Sequence, residues 1–176
     1  KIVKHKLDPC KLVKIKKPLK IIAKNSEYNE VSFKLEDLKK IHKACLEIAP
    51  LFPYSAEIIM FIMVTGRRFE GIIEIPKHIN KIDVDQFITI TDPVKFVLDL
   101  LKAIPDKPGM ENFKNIPWCF PSIRARVMTK DLHSDKTRIK TIHNAWCLIR
   151  EKTGIIGTQR SLRKTFSTLA KNTLGA

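Results

Sequence analysis

Apolar residues recur at steps of three and four along much of the chain, a spacing that puts them on one face of a helix. The first such stripe predicts a helix from about Ser32 to Ile48, which Pro50 and Pro53 bring to an end. The residues expected on its buried face are Leu35, Leu38, Ile41, Cys45 and Ile48.

The next segment, Ile58–Val64, is apolar on nearly every side, which predicts a helix at the centre of the core. Ser55 is expected to cap this helix, and Gly66 to end it after Thr65. The apolar run is much shorter than the roughly twenty residues that cross a membrane, so no membrane partner is expected.

Three further helices are predicted in the second half of the chain. Asp92 and Pro93 are residue types preferred at the N-cap and the first helical position. The next helix should begin at Thr137 and end at Gly154, and the last should run over about Ser161–Asn172. The residues expected on their buried faces are Val94, Val97, Leu98, Leu101, Ile104, Ile139, Ile142, Trp146, Ile149, Leu162, Phe166 and Leu169.

The segments between these helices predict a small β component. Phe87–Ile90 is rich in β-branched residues and indicates a strand, whereas Pro76–Asp85 and Pro105–Pro121 are expected to be irregular. A length of 176 residues fits one domain. We therefore predict a mainly α fold with a small antiparallel sheet (α+β) over residues 31–176, preceded by a basic linker over residues 1–30.

Positive charge is concentrated at the two ends of the sequence. The formal net charge is +15, of which residues 1–24 carry +8 and residues 122–176 carry +9, while the residues between them carry −2. This distribution favours a polyanionic partner, with nucleic acid as the leading class. Solvated tails and acidic lipid head groups are the alternatives.

The four cysteines are widely spaced, and no histidine shows an evident ligand spacing. Neither a disulfide framework nor a zinc site is therefore expected, and no cofactor is indicated. Reduced thiols favour a cytoplasmic location.

Two arginine clusters are candidates for the chemistry. Arg67 and Arg68 follow the most hydrophobic helix, and Arg160 and Arg163 open the last one, three residues apart. A helix N-terminus adds amide donors and a favourable dipole, so two guanidinium forks there would suit a phosphate. The alternative is that these are ordinary surface arginines or ion-pair partners of nearby carboxylates, Glu70 and Glu74.

In this order the clusters resemble the motifs of the tyrosine recombinases, the phage-integrase family. Thr65-Gly66-x-Arg68 is similar to the family's first motif, and Arg160-x-Leu162-Arg163-x-Thr165-Phe166 resembles the second. The 95 residues from Arg68 to Arg163 fit that catalytic domain. The segments that extend the resemblance along the chain are Asp8–Cys10, Phe33–Leu38, Ile88–Pro93 and Trp118–Ser122.

The resemblance implies a site-specific DNA recombinase or integrase, in which a tyrosine attacks a DNA phosphodiester and forms a 3′-phosphotyrosyl link without metal or ATP. Arg68 and Arg163 would bind the non-bridging oxygens, with Arg160 beside them, and Lys81 or Lys77 would be the general acid. The residues expected to contact DNA are Lys14, Lys16, Lys17, Arg67 and Lys164. The implied partners are double-stranded attachment sites and three further copies in a DNA-bound homotetramer, in a cytoplasmic, nucleoid-associated protein.

The sequence departs from the family pattern in several places. Gly71 stands where the family usually has Glu, Arg160 stands where it usually has His, and the segment after Arg68 is short for a three-stranded sheet. Both tyrosines, Tyr28 and Tyr54, precede the first motif, so we expect the nucleophile to lie beyond this sequence and the fragment alone to be inactive. A degenerate recombinase-like domain that only binds DNA and a type IB topoisomerase relative are the alternatives.

The basic linker gives a first prediction. Replacing Lys14, Lys16 and Lys17 by Gln should weaken DNA binding by a similar factor for every sequence, because phosphate contacts carry no base information. The slope of log affinity against log salt concentration should fall by up to about 3 if all three contact phosphates. Fluorescence anisotropy across a salt series measures that slope, and an unchanged value would mean that the linker does not contact the DNA.

Overall fold

Helices account for 67% of the residues that the computed structural model describes, which are 31–75, 90–123 and 137–174. The predicted mainly helical class is confirmed. No strand occurs within these ranges, where β pairing is limited to an isolated antiparallel bridge between Pro121 and Arg138. The linker over residues 1–30 and nearly all of the predicted strand at 87–90 lie outside the described residues, and so does the segment 76–85.

Six α-helices occur in the described ranges: α1 Leu35–Ile48, α2 Ser55–Thr65, α3 Phe69–Ile73, α4 Asp92–Ala103, α5 His143–Thr153 and α6 Gln159–Leu174. Two 3₁₀-helices, Ile104–Asp106 and Glu111–Asn115, lie in the segment predicted to be irregular. The short helix α3 was not predicted from the sequence. No helix in the described part of the chain is long and apolar enough to cross a membrane.

Helix α2 is the centre of the core, as its apolar composition predicts. Every residue from Ser55 to Ile62 is buried, and α1, α4 and α6 pack around the helix. A fully buried side chain such as Phe61 stabilises the fold by about 1.5–3 kcal/mol relative to its exposed state. Helices α1, α4 and α6 are thus arranged around the apolar helix α2. Helix α1 also packs against α5.

The buried stripe of α1 begins before the helix does. Ile41, Cys45 and Ile48 are buried as predicted, but Leu35 is 62% exposed. Phe33 takes the inner position instead, with its ring centroid 6.3 Å from that of Trp146. The prediction for Leu35 was wrong because the chain enters the core two residues earlier, before its helical period starts.

Helix ends follow the sequence signals more closely than helix starts. Gly66 and Gly154 both adopt the left-handed conformation, with φ of 63° and 68°, directly after α2 and α5. Ser55, expected as a cap, is instead the first helical residue, because Tyr54 turns the chain with a φ of 70°. Asp92 is likewise the first helical residue and Thr91 holds the N-cap position.

Residues 137–142 precede α5, which begins only at His143, and this corrects the prediction of a helix starting at Thr137. Two backbone hydrogen bonds hold them against the preceding segment: Ser122 N donates to Thr137 O at 2.6 Å, and Ile139 N donates to Phe120 O at 3.1 Å. Ile142 is still buried, at the position just before α5 begins. The apolar pattern therefore identified buried residues correctly but assigned them the wrong local structure.

A carboxyl group is buried inside the first turn of α2. Glu57 is 2% exposed, and its Oε2 has no hydrogen-bond partner among the described residues. Burial raises the pKa of this carboxyl, while backbone amides and the positive charge of Lys107 lower it by smaller amounts. Burial, with the added effect of the charge of Glu57, also raises the pKa of the Cys45 thiol and the Tyr54 hydroxyl.

Replacing Glu57 by Gln should stabilise the fold increasingly as the pH rises. A carboxyl whose folded pKa is raised contributes stability below the unfolded pKa of about 4.3, and that contribution is lost as pH rises through the folded pKa. The Tm of Glu57→Gln minus the Tm of the parent should therefore increase between pH 4.5 and pH 8, and reach a few degrees, at about 2–4 °C per kcal/mol.

The matched control is Glu151→Gln, which changes an exposed carboxyl on α5 and should show a flat difference over the same pH range. Thermal unfolding followed by circular dichroism measures both series. A Glu57→Gln difference that stays flat, or falls with pH, would contradict the assignment of a raised pKa.

Candidate active site

The end of α2, just before the first arginine cluster, contacts the middle of α6, just after the second cluster. A Cβ placed on Gly66 would overlap the ring of Phe166, so the ring occupies the space that a side chain would need. Arg68 lies two residues beyond this contact, at most about 7 Å along the chain. Arg163 lies one helical turn before it, about 4.5 Å along the axis of α6. Packing thus brings together two motifs that are 95 residues apart in sequence.

Thr65 fixes the path of the chain out of α2. Its hydroxyl donates to Phe61 O at 2.6 Å and accepts from Arg67 N at 3.3 Å, which ties the first arginine to the last helical turn. Arg68 then adopts an extended conformation as the N-cap residue of α3, with its carbonyl accepting from Ile72 N. The first cluster is therefore held between two helices.

Buried hydroxyl groups anchor the other side of α6. Thr165 Oγ1 accepts from Phe33 N and donates to Ser161 O, both at 2.8 Å. Ser161 Oγ in turn accepts from Thr158 N at 3.2 Å, and both hydroxyl residues are buried together with Leu162. These contacts fix the rotation of α6 about its axis, and so determine which residues face solvent.

The exposed side of α6 carries its cations. Arg160, Arg163 and Lys164 are exposed, and the first turn contains no acidic residue. Arg160 and Arg163 lie in the same helix, three residues apart, as a shared helix face requires. Leu169, predicted to point inward, is 45% exposed. We attribute this exposure to the end of α2. Helix α2 stops at Gly66, opposite Phe166, so the turn of α6 that contains Leu169 has no part of α2 to pack against.

No carboxylate in the described part of the chain pairs with the side chains of Arg68, Arg160 or Arg163. The alternative partner Glu74 is engaged elsewhere, because its Oε1 lies 3.4 Å from a guanidinium nitrogen of Arg138. The ion-pair explanation of the clusters is thus not supported for these three residues. Arg67 is half-buried, in contrast to the exposed Arg68.

Sequence reasoning missed Arg138 as a structural residue near the first cluster. Its guanidinium carbon lies 5.0 Å above the centre of the Trp118 ring, and its ion pair with Glu74 reaches the residue directly after α3. No spacing pattern predicts this contact, because Glu74 and Arg138 are far apart along the chain. Gly71 has open space around it, so nothing in the described structure replaces the Glu that the family pattern has there.

Five of the predicted site residues lie outside the described residues. They are Lys77 and Lys81, the two candidates for the general acid, and the linker residues Lys14, Lys16 and Lys17. Their roles stay predictions. The described residues contain no group of three or more His, Cys, Asp and Glu side chains that could hold a metal ion.

A separate apolar groove lies between α1, α2 and α4, with a volume of about 330 Å³. His42, Met60, Met63 and Phe96 are among its lining residues, and it includes none of the clustered arginines. Its wall is almost entirely apolar, so it offers no counterpart to the charged surface at Arg68 and Arg163.

Comparison with models of known protein families, with curated proteins and with solved structures finds no match to this chain.

Replacing Gly66 by Ala should destabilise the protein more than the same change at Gly154. Both glycines follow a helix at nearly the same positive φ, which costs a non-glycine residue about 1–2 kcal/mol. Only Gly66 has a ring against it, whereas a Cβ at Gly154 meets nothing within 4 Å. The overlap should add about 1–3 kcal/mol to the free-energy loss of Gly66→Ala in urea unfolding.

A double-mutant cycle with Phe166→Ala identifies the source of that difference. Removing the ring should make Gly66→Ala no more costly than Gly154→Ala, with a coupling energy above about 1 kcal/mol. Equal losses for the two glycines in the parent background would mean that the two motifs do not meet through this contact.

Proposed function

We propose that this chain is the catalytic domain of a tyrosine recombinase, an integrase-type enzyme that breaks and rejoins DNA strands through a 3′-phosphotyrosyl intermediate. The contact between Gly66 and Phe166 carries the proposal, because it joins the two motifs on which the resemblance rests. Motifs that matched by chance would have no reason to adjoin in the fold. The exposed arginines on both sides of this contact are available to a ligand in solution.

Arg68 and Arg163 are the proposed ligands of the scissile phosphate. Negative charge grows on the non-bridging oxygens as the phosphorus becomes five-coordinate, and preorganised donors stabilise that charge. A guanidinium offers two parallel N–H donors to two oxygens, which an ammonium cannot do. Neither arginine has a carboxylate partner among the described residues that a phosphate would need to displace.

Arg160 is proposed to add a third donor beside Arg163. It can donate to a phosphate oxygen but cannot accept a proton near neutral pH, so it would not serve as the base that a histidine provides. Two cations in the first five residues of α6, with no acid in its first turn, oppose the helix dipole. A bound phosphate would relieve that repulsion, and the dipole at the helix start would favour it.

The proton transfers require residues outside this site. Lys81, or Lys77, is the proposed general acid that protonates the leaving 5′-oxygen. Tyr54 is unsuited to be the nucleophile, since it is 1% exposed and burial raises the pKa of its hydroxyl. Tyr28 lies outside the described residues and precedes the first motif. The proposal therefore includes a tyrosine that is not part of these 176 residues.

Double-stranded DNA is the proposed partner, and strand exchange would use a homotetramer because two duplexes require four cleavages. The basic segment at residues 1–30 would follow the DNA backbone, and Arg67 and Lys164 would contribute phosphate contacts beside the clamp. The excess of positive charge supports a polyanionic partner of this kind. Such a protein would act in the cytoplasm, at the nucleoid.

Replacing Arg163 by Lys in the protein encoded by the complete reading frame should lower strand cleavage by about 10²–10³-fold. DNA affinity should stay within a few-fold of the parent, because the positive charge is kept and only the forked geometry is lost. Covalent adducts with a nicked suicide substrate measure cleavage, and fluorescence anisotropy measures affinity. Lys43→Ala, which removes an exposed cation on α1, is the control and should leave cleavage unchanged.

The outcomes separate the proposal from its alternatives. If the complete protein forms no adduct with its own attachment site but still binds DNA, it is a recombinase-like binding domain without catalysis. Relaxation of supercoiled plasmid by a monomer, without site preference, would indicate a topoisomerase. A large loss of affinity in Arg163→Lys with unchanged cleavage per bound complex would make Arg163 a binding residue only.

A further inference from the structure

A histidine and a cysteine lie side by side on the exposed surface of α5. His143 and Cys147 are one helical turn apart, and Cys147 Sγ lies 3.4 Å from His143 Nε2. His143 is the first residue of the helix, and its amide donates to Thr141 Oγ1 at 3.1 Å, so its backbone position is fixed by the helix start. The function proposed above makes no use of either side chain.

The separation of the two atoms suits one metal ion. Zinc binds cysteine sulfur at about 2.3 Å and histidine nitrogen at about 2.0–2.1 Å. With those bond lengths, two atoms 3.4 Å apart subtend an angle of about 103° at the metal, close to the tetrahedral angle that zinc prefers. Both ligands are therefore within reach of the same ion.

We propose that His143 and Cys147 form a two-ligand site for a soft divalent metal ion of the Zn²⁺ and Cd²⁺ class. Thiolate and imidazole are the ligands that such ions select over the oxygen ligands preferred by Mg²⁺ and Ca²⁺. On binding, the sulfur–metal bond replaces the sulfur–hydrogen bond and the proton goes to solvent, while the neutral imidazole donates its Nε2 lone pair. Water molecules complete the coordination.

The site has only two protein ligands and is exposed to solvent, and this limits its affinity for the metal ion. No further His, Cys, Asp or Glu within the described ranges joins the pair to make a three-ligand group. Half of the ligand set of a structural zinc site should give roughly half of its binding free energy, hence a dissociation constant on the order of 10 μM. The site does not depend on the arginine clusters, and its test is independent of DNA chemistry.

Titration of the 176-residue chain with Co²⁺, followed by displacement with Zn²⁺, tests the proposal. Co²⁺ should give a thiolate-to-metal charge-transfer absorption that saturates at one equivalent and disappears as Zn²⁺ replaces it. Zn²⁺ should also protect Cys147 from alkylation by iodoacetamide, as read by peptide mass spectrometry. His143→Ala and Cys147→Ser should each weaken binding by more than about tenfold, a loss typical of altered metal shells.

Two matched variants serve as controls. His42→Ala removes an exposed histidine from α1, and Cys119→Ser removes a half-buried thiol, and both should bind Zn²⁺ like the parent. Zn²⁺ should raise the Tm of the parent and of both controls by mass action, but not that of His143→Ala or Cys147→Ser. Melting curves without metal show whether these two variants fold.

Three results would overturn the proposal. A cobalt complex without the thiolate absorption would exclude Cys147 as a ligand. Affinity that survives both substitutions in folded variants would assign the metal to other residues. Equal protection of Cys119 and Cys147 by Zn²⁺ would show that the metal acts on thiols in general and does not use this pair.

Discussion

The arrangement of the charged surface depends on one steric constraint, the packing of the Phe166 ring into the space beside Gly66. The ring can reach the end of α2 only because that position has no side chain, and the left-handed turn there favours glycine independently. Gly66 thus ends helix α2 and also leaves room for α6 to pack against it. The contact sets the first motif against the second, while the Thr65 hydroxyl and the buried hydroxyl groups of α6 hold the residues on either side of it.

Helix α6 carries buried hydroxyl groups on one face and its charged side chains on the other. Its buried hydroxyl residues, Ser161 and Thr165, bond to backbone groups: Thr165 accepts from Phe33 N of another segment, and the other two bonds lie within α6 and to Thr158 just before it. Its arginines lie on the outside, where the helical period puts residues that are not aligned with Leu162 and Thr165. Neighbouring residues of one motif therefore have different roles. Thr165 helps to hold the helix in place, whereas Arg163 has no carboxylate partner among the described residues and is open to a ligand.

The features that short-range chemistry determines could be predicted from the sequence. The features that depend on contacts between distant parts of the chain could not. The all-apolar segment 58–64 and the helix-ending glycines were correct, since burial and a positive φ leave few alternatives. Thr137 was wrong as a helix start because Thr137 and Ile139 hydrogen-bond to residues 122 and 120, while the buried Ile139 and Ile142 keep an apolar spacing that a helix would also have. The His143–Cys147 pair has the i, i+4 spacing of one helix face, but it was overlooked because no larger ligand pattern surrounds it.

The net charge of a stretch of sequence does not decide whether the arginines within it are paired with carboxylates. Arg68 belongs to the stretch whose net charge is slightly negative, whereas Arg160 and Arg163 belong to the strongly basic C-terminal part. Packing of α2 against α6 joins the two motifs that contain these arginines, and Glu74, one of the two acids considered as their partners, is paired with Arg138. The arginines therefore keep no carboxylate partner within the described ranges, even in the stretch that is slightly acidic overall. For the phosphate ligand proposed above, charges within about a Debye length of 8–10 Å would matter more than the regional sum.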